Sequence, residues 1–281
     1  MIAAERQEQI INQLRINKVV SVHELAQQFK TTDMTIRRDL ALLEKKGLLT
    51  RSYGGAVFNG KVGNESDFII RCGEKPDIKA MIGRKAASLV TPGDSIGIDV
   101  GTTGLEVAKH VRDIEDLSVL TASIPVVNEL AGEKNVKVIC TGGELSSKDL
   151  SLTGHTATRM LQEYILDKVF IGVAGISFDH GFTLFNMQDA LVKRVFIERA
   201  LEVIIVCHSD KIGVAKHASL CDIDVASKII TDSGISENDY RTLESYGVKV
   251  ILADVDEEDP ADQEMESGDS ADTRPLCEIG E

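Results

Sequence analysis

The stretch Thr35-Ile36-Arg37-Arg38-Asp39-Leu40 decides the fold at the N-terminal end of the chain. An apolar series with i, i+4, i+7 spacing runs through it and consists of Ile36, Leu40 and Leu43. This spacing predicts a helix with one buried face. The cationic residues fall outside that face: Arg37, Arg38 and Lys45. The sequence therefore predicts a helix that is anchored on one side and carries a positive surface on the other.

A second helix is predicted just before this one. Ser21-Val22-His23-Glu24 has the pattern of a capping box. The buried side of the helix that it opens would be Val22, Leu25, Ala26 and Phe29. A turn at residues 30–32 separates the two helices, which together make a helix-turn-helix whose second helix enters a DNA major groove. An ordinary helical hairpin with solvated arginines is the alternative that this pattern leaves open.

A β-hairpin is predicted after Gly47, a residue type that commonly ends a helix. Residues 48–58 are rich in β-forming side chains and are interrupted by Gly54-Gly55, which is typical of a hairpin. A helix-turn-helix followed by a basic hairpin is a winged helix. Residues 6–57 resemble the DNA-binding domain of the DeoR family of bacterial transcriptional regulators, with S-V-x-E-L-A, T-I-R-R-D-L and R…G-G-A in order. Tyr53 departs from the family, which more often has histidine there.

The winged helix implies a set of contacts with double-stranded operator DNA. We expect residues at the start of the second helix, with Arg38, to lie near base edges or phosphates. Arg37, Arg51 and the two wing glycines are expected to contact the backbone or the minor groove. The complete set of predicted DNA-binding residues is Ser21, Thr31, Thr32, Asp33, Thr35, Arg37, Arg38, Lys45, Arg51, Gly54 and Gly55.

The net charge of −14 argues against a nucleic-acid partner until its distribution along the chain is considered. Residues 1–60 hold nine Lys/Arg against six Asp/Glu, whereas the segment from Asp254 onward holds twelve acids and one base. The intervening part carries a net charge of −6. The sequence thus predicts a mildly basic DNA-reading domain, a mildly acidic body and an acidic tail that is disordered over 254–281.

Several classes of protein are disfavoured by composition. No apolar run approaches the length of a membrane span, and the N-terminus has no apolar segment typical of a signal peptide. The five cysteines are widely spaced without a C-x-x-C pair, which disfavours a disulfide framework or a zinc site. We expect a protein of the bacterial cytoplasm, associated with the nucleoid, that needs no cofactor and no metal and has no membrane partner.

The remainder of the chain is predicted to be an α/β domain. Residues 1–58 form the winged helix-turn-helix, 59–75 read as a polar linker, and 76–253 alternate β-branched runs with helical patterns. The predicted strands are Ser95–Asp99, Leu117–Thr121, Val136–Cys140, Lys168–Val173, Glu202–Val206, Lys228–Thr231 and Val248–Leu252. Such alternation predicts a mostly parallel sheet flanked by helices.

Five polar or glycine-rich segments follow predicted strands, where helix N-termini of a parallel sheet converge. In Asp99-Val-Gly-Thr-Thr-Gly104, Gly101 would let the backbone approach an anion that Thr102 and Thr103 surround. A tight turn with a capping threonine is the alternative. The other segments are Thr121–Ser123, Thr141–Glu144, Gly172–Gly175 and Asp210-Lys211. Together they predict a small-anion site at one edge of the sheet.

Residues 76–253 also resemble the DeoR-family effector domain, which is similar to ribose-5-phosphate isomerase and coenzyme A transferases. The resemblance implies a phosphorylated sugar as effector, with Gly101, Thr102 and Thr103 holding its phosphate. The complete set of implied effector-binding residues is Asp99, Gly101, Thr102, Thr103, Thr121, Ser123, Gly142, Gly143, Asn186 and Lys211. The chain departs from the family at Ala122, Asp189 and Asp210, where Asn, Glu and Ser are usual.

Three functions are compatible with the motifs. The first is a regulator of a carbohydrate operon, expected to be a repressor that works as a homodimer or homotetramer. The second is a sugar-phosphate isomerase with an appended DNA-binding domain, but Ile171 and Ala174 stand where the isomerases have paired aspartates, and only Asp99 remains as a base. The third is a redox sensor using Cys207 or Cys221, neither of which has a neighbouring thiol in sequence. We predict the regulator, with no catalytic residues.

Overall fold

The computed structural model describes residues 6–7, 9–11, 13–14, 19–45, 49–58 and 68–254, with Lys45, Val57 and Phe58 described by their backbone. The N-terminal part contains strand β1 (Val19–Ser21), helices α1 (Val22–Gln28) and α2 (Asp33–Lys45), and strands β2 (Leu49–Ser52) and β3 (Gly55–Phe58). The predicted apolar face of α2 is confirmed, because Ile36, Leu40 and Leu43 are buried in one core with Leu25 of α1.

The capping box predicted at the start of α1 is wrong in its side-chain contact. Ser21 occupies the N-cap position with an extended backbone, but its hydroxyl makes no capping hydrogen bond. Ser21 is also the last residue of β1, where it pairs with Gly55 of β3. The strand pairing sets the path of the chain into α1.

The wing has three strands, in the order β1-β3-β2, so the predicted hairpin of β2 and β3 is extended by β1. Tyr53 and Gly54 form the turn, and Gly54 has a φ of +83°, which favours glycine. Gly55 is required for a different reason: a Cβ there would lie 2.1 Å from the carbonyl oxygen of Val20. The Gly-Gly pair therefore serves both the turn and the close approach of β1.

The α/β part contains the remaining elements. Its strands are β4 (Ser95–Ile98), β5 (Leu117–Thr121), β6 (Val136–Cys140), β7 (Glu144–Ser146), β8 (Ser151–Thr153), β9 (Leu166–Gly172), β10 (Gly175–Ser177), β11 (Gly181–Leu184), β12 (Ala200–Val206), β13 (Ala218–Cys221), β14 (Lys228–Thr231) and β15 (Lys249–Leu252). Its helices are α3 (Phe68–Cys72), α4 (Pro76–Ala87), α5 (Thr102–His110), α6 (Ile124–Leu130), α7 (His155–Leu161), α8 (Met187–Glu198) and α9 (Glu237–Ser245).

The predicted parallel sheet is confirmed. All seven predicted strands form one sheet in the order β15-β14-β12-β9-β4-β5-β6, and every neighbouring pair is parallel. Residues of α4, α5 and α6 pack on one face, and residues of α7, α8 and α9 pack on the other. The result is a three-layer α/β/α arrangement around two apolar cores.

Two small antiparallel additions were not predicted from the sequence. Strands β10, β11 and β13 form a separate sheet, and β7 and β8 form a hairpin. The hairpin joins the end of β5, because Leu152 N donates to Ala122 O at 2.7 Å and Ile124 N donates to Leu150 O at 3.0 Å. The hairpin thus lies at the carboxyl edge of the large sheet.

The ends of the α/β part differ from the linker and tail expected there. Helix α3 lies within the predicted linker 59–75, with Phe68 buried and its N–H donating to Lys148 O at 2.9 Å. Asp254, predicted to begin the tail, accepts hydrogen bonds from the N–H and hydroxyl of Ser233. Residues 59–67 and 255–281 lie outside the described residues, so the linker and disordered tail stay predictions there.

Candidate nucleic-acid interface and effector site

The start of α2 is organised by a threonine cap. Thr35 N donates to Thr32 Oγ1 at 3.2 Å, and the hydroxyls of Thr32 and Thr35 lie 3.0 Å apart. Thr31 is fixed through its N–H, which donates to Ala26 O at 2.9 Å. The cap already uses the hydroxyl of Thr32, whereas Asp33 is exposed next to it. Sequence reasoning missed Met34, whose side chain is 73% exposed and could contact a thymine methyl group.

The arginines of α2 differ in exposure from the aspartate that follows them. Arg37 and Arg38 are exposed, as a DNA-facing role requires. Asp39 is buried and accepts hydrogen bonds from Arg6 Nε at 2.6 Å and from Gln7 Nε2 at 3.0 Å. The aspartate of the T-I-R-R-D-L motif therefore anchors α2 to the N-terminal residues, and the arginines remain available to a ligand.

The predicted backbone contact Arg51 is tied to α2. Its N–H and Nε donate to the two carboxylate oxygens of Glu44, at 2.9 and 2.6 Å. These hydrogen bonds, the backbone one first, lower the pKa of Glu44. The pair fixes β2 against α2, so Arg51 sets the angle of the wing. Its contact with DNA, like that of Ser21, Gly54 and Gly55, stays a prediction, and the side chain of Lys45 lies outside the described residues.

The effector site is expected at the point in the sheet where the order of the strands reverses. Strands β4 and β9 are neighbours, but the chain proceeds from β4 to β5 and β6 on one side and from β9 to β12, β14 and β15 on the other. Ligands of open α/β sheets bind in the crevice at such a switch point. Here α5 begins at Thr102 directly after Gly101, whose φ of +124° favours glycine. The free N–H groups at the start of α5 therefore face the carboxyl edge.

A buried ion pair lies beside this switch point. Asp99 at the end of β4 pairs with Lys193 of α8, and both side chains are buried. Asp99 Oδ2 also accepts from Gly172 N at 3.0 Å, and Lys193 Nζ donates to Gly172 O at 3.0 Å. The second carboxylate oxygen, Oδ1, is buried and has no hydrogen-bond partner among the described residues. It can accept a hydrogen bond from a ligand.

The charge on Lys193 is stable. Burial lowers its pKa, but the carboxylates of Asp189 and Asp99 outweigh burial, so the pKa of Lys193 is raised overall. Asp189 Oδ2 lies 3.6 Å from Lys193 Nζ, and burial raises the pKa of Asp189 to about 6. Sequence reasoning missed Lys193, although its register with Ala190 and Phe196 on the buried face of α8 is the signal that could have found it.

Two further lysines are withdrawn from solvent: Lys79 is buried and Lys211 is half-buried. Lys79 Nζ donates to Arg71 O, and Lys211 Nζ donates to Val173 O at 2.5 Å. Neither forms an ion pair with any carboxylate of the described residues. Burial lowers the pKa of Lys79 to about 8, and Lys211 lowers it further by repulsion. Burial also lowers the pKa of Lys211 to about 8, and the charges of Arg71 and Lys193 add to the effect.

These two cations form no ion pair with the described residues, and the carboxylate of Glu74 offsets their charge only from beyond ion-pair distance. Lys211 was predicted from the sequence and Lys79 was not, although Lys79 precedes Ile82 by three residues and shares its buried face. Nearby, burial lowers the pKa of His208 to about 4, so this imidazole is neutral at pH 7. Two ammonium groups withdrawn from solvent and hydrogen-bonded to carbonyl oxygens favour an anionic ligand between them.

The other predicted effector residues share this edge, but they use their polar groups within the protein. Thr121 donates to Ile98 O at 2.7 Å and accepts from Ser123 N, and Ser123 caps α6. Asn186 caps α8 by accepting from Asp189 N at 2.8 Å. A Cβ on Gly143 would lie 2.5 Å from Thr153 O, and Gly142 has a φ of +68°. These residues shape the crevice, and Thr102 and Thr103 are buried at its helix terminus.

Two other kinds of site are absent from the part of the chain that the structure describes. No cluster of three or more His, Cys, Asp or Glu side chains is arranged to hold a metal ion there. Within the same residues, no helix has the length and apolar character that crossing a bilayer demands.

Comparison with known proteins agrees with both halves of the structure. Residues 6–62 match the model of the DeoR-like helix-turn-helix domain, and residues 74–233 match that of the DeoR C terminal sensor domain. The uncharacterized HTH-type transcriptional regulator YulB of Bacillus subtilis is 37% identical over 89% of this chain and 96% of its own. The putative aga operon transcriptional repressor of Escherichia coli O157:H7 is 33% identical, covering 89% and 93%. The HTH-type transcriptional repressor GlcR of Bacillus subtilis is 29% identical, covering 92% and 99%.

These relatives are regulators and not enzymes, which agrees with the prediction of a non-enzyme. The matched segments include the DNA-reading helix, the wing and the crevice with Asp99, Lys193 and Lys211. The chain is a DNA-binding transcriptional regulator and belongs to the DeoR family.

Proposed function

We propose that a phosphorylated sugar, bound at the carboxyl edge of the seven-stranded sheet, sets the affinity of this regulator for its operator. The observation that carries the proposal is the pair of lysines withdrawn from solvent, Lys79 and Lys211, which form no ion pair with a carboxylate in the described part of the chain. A phosphate monoester carries nearly two negative charges at pH 7 and would compensate both. The N-terminus of α5 adds N–H donors for its oxygens.

The remainder of the crevice suits a hydroxylated molecule. Asp99 Oδ1 is a buried acceptor that needs a donor, and a sugar hydroxyl can supply one. A carboxylate at the same place would be repelled by Asp99 and Asp189. These features favour a neutral sugar carrying one phosphate over a phosphorylated acid or inorganic phosphate alone.

The experiment is a titration of the purified protein with a panel of sugar phosphates by isothermal calorimetry, repeated with Lys79→Met and Lys211→Met. Each substitution should weaken binding of the effective ester by about 10- to 100-fold, because a charge-assisted contact with the phosphate is lost. Lys134→Met is the matched control, since Lys134 is exposed between α6 and β6. Equal binding by all four proteins would refute the site.

We propose repression relieved by the effector as the mode of regulation, as two of the compared relatives are named repressors. Operator binding measured by fluorescence anisotropy should then weaken when the effective ester is added. Tighter binding in its presence would identify an activator or a co-repressed system. The target is a carbohydrate operon on this proposal, because the regulated genes should consume or supply the ester that is sensed.

We also propose that the protein acts as a homodimer or homotetramer in the cytoplasm, bound to the nucleoid. One winged helix covers too few base pairs for strong specificity, so paired readers on repeated or palindromic half-sites are required. Light scattering coupled to gel filtration measures the assembly directly. A monomer at micromolar concentration, with and without operator, would contradict it.

A further inference from the structure

Helix α3 is held at the effector site by three contacts. Phe68 N donates to Lys148 O at 2.9 Å, and Arg71 Nη2 donates to Asp149 Oδ1 at 3.0 Å. Lys79 of α4 donates to the carbonyl oxygen of Arg71. Helix α3 also packs against α5, the helix whose N-terminus faces the crevice. Along the chain, α3 is the first described element after the DNA-binding domain.

The partner of α3 is the tip of the β7–β8 hairpin. Lys148 and Asp149 lie between the two strands, next to Leu150, whose backbone has a φ of +52°. The same hairpin is hydrogen-bonded to Ala122 and Ile124 at the end of β5. The hairpin therefore spans the distance from the predicted effector residues at the end of β5 to the helix that leads back to the DNA reader.

The charge of Arg71 acts on the lysines of the proposed effector site, Lys79 and Lys211. Its charge lowers the pKa of Lys79, Lys211 and Lys193, and it also acts on Asp189. Its side chain is 19% exposed and that of Asp149 is 13% exposed, so the pair is screened only in part. A guanidinium has five N–H donors in a fork that suits phosphate as well as carboxylate.

We propose that α3 with Arg71, and the hairpin tip with Asp149, form a latch that transmits effector binding to the DNA-binding domain. The phosphate of the effector competes with Asp149 for Arg71, and loss of the ion pair frees α3 from the hairpin. The chain attached to α3 then changes the placement of the DNA reader. This inference rests on the proposed function, since it needs an anion in the crevice. It also assigns a role to Asp149, which lies outside the predicted effector-binding and DNA-binding residues.

Thermodynamic linkage between effector binding and the Arg71–Asp149 pair determines the expected effect of weakening this pair. If Asp149 and the phosphate exclude each other on Arg71, weakening the Arg71–Asp149 pair favours the effector-bound arrangement even before effector is added. The Asp149→Asn variant should therefore bind the effective ester about three- to tenfold more tightly. Its operator affinity without ester should move toward the value that the wild-type protein shows with ester bound. This direction holds whether the effector weakens or strengthens operator binding.

The experiment measures operator affinity by fluorescence anisotropy, with and without the effective ester, for wild type, Asp149→Asn and Asp113→Asn. Asp113 is the matched control, because it is exposed between α5 and β5, at the opposite edge of the sheet, and forms no ion pair with the described residues. The control removes the same charge and should behave as the wild type. Thermal unfolding of each protein by circular dichroism verifies that the fold is retained.

Arg71 variants give a second, independent readout. Arg71→Gln also removes the ion pair, so its operator affinity without ester should shift toward the ester-bound wild-type value and the ester should cause little further change. Arg71→Lys should restore part of the response. A merely structural Arg71 would alter the melting temperature of both variants and leave the ratio of the two operator affinities unchanged.

The outcomes separate the latch from the proposed function. If no ester changes operator binding of the wild type, the proposed function fails. If the wild type responds but Asp149→Asn equals Asp113→Asn in both measurements, the latch is wrong and the effector site stands. Tighter ester binding by Asp149→Asn with unaltered operator affinity would also overturn the latch, because it would confine Asp149 to the pocket.

Discussion

Replacing Lys79 by methionine should stabilise the protein in the absence of effector. A pKa lowered from 10.5 to about 8 means that the charged lysine costs about 3 kcal/mol of folding free energy at pH 7. Methionine removes this cost and fills a similar volume, but it also removes the hydrogen bond to Arg71 O, which offsets roughly 1–2 kcal/mol. The expected net gain is about 1–2 kcal/mol.

The pH dependence gives the sign test for this prediction. Folding lowers the pKa of Lys79, so between pH 8 and 10.5 the unfolded chain binds more protons than the folded one. Wild-type stability should therefore rise over that range, and the advantage of Lys79→Met should shrink by the same amount. Below pH 8 both states carry the proton, and the advantage should be constant.

Urea unfolding followed by far-ultraviolet circular dichroism, at pH 7 and pH 10, measures both quantities. Lys134→Met provides the baseline for removing an exposed lysine, and its stability should differ little from wild type at either pH. A Lys79→Met protein that is less stable than wild type at pH 7 would refute the reasoning. So would an advantage that persists unchanged at pH 10, because the gain would then have another origin than the buried charge.

Three further predictions concern the two binding sites. Affinity for the effective ester should fall above about pH 8, because Lys79 and Lys211 then lose their protons. The fall should reach up to about tenfold per pH unit for each of the two lysines. Calorimetry that finds no change in affinity from pH 7 to 9.5 would contradict the anion site. Gly55→Ala should destabilise the winged helix by about 2–4 kcal/mol, because its Cβ would lie 2.1 Å from Val20 O. Gly54→Ala meets no atom and should cost only about 1 kcal/mol in backbone strain. Urea unfolding in which both substitutions cost the same would count against this distinction. Arg38→Ala should weaken specific operator binding by about 1–3 kcal/mol if the side chain reads a guanine, and otherwise should mainly reduce the dependence of binding on salt; anisotropy titrations that show neither effect would remove Arg38 from the interface.

The large sheet could be predicted because most of its strands are β-branched runs with buried residues on both faces, ended by polar or glycine residues. That signal is strong for β4, β5 and β12, whose side chains lie in the two cores. Strands of three residues, such as β7, β8 and β10, carry too little pattern to be recognised. They form because neighbouring segments offer backbone partners, which only the tertiary structure supplies.

The candidate site could be placed from the sequence but its chemistry could not. The glycines and threonines after β4 indicate the carboxyl edge of the sheet, since local turn requirements leave a local signal. Lysine is usually solvated, so Lys79 and Lys193 carried no functional signal on their own. The pairing of Lys193 with Asp99 joins two distant parts of the chain, and no spacing rule connects them. Hydroxyl and amide residues such as Ser123 and Asn186 matched the motif, but they serve as helix caps.

The anchoring of Asp254 to Ser233 has a consequence for handling the protein. Both residues follow strands at the carboxyl edge, so the described chain leaves the sheet at Asp254 on the same edge as the proposed effector crevice. A label attached at this point would therefore lie on that edge. The N-terminal end is no safer, because Ile10 and Leu14 are buried in the core of the DNA reader. The turn at residues 131–135 lies at the opposite edge of the sheet, and a Cβ on Gly132 would meet open space. A fluorophore or biotin attached in this turn leaves both binding surfaces accessible in a biosensor.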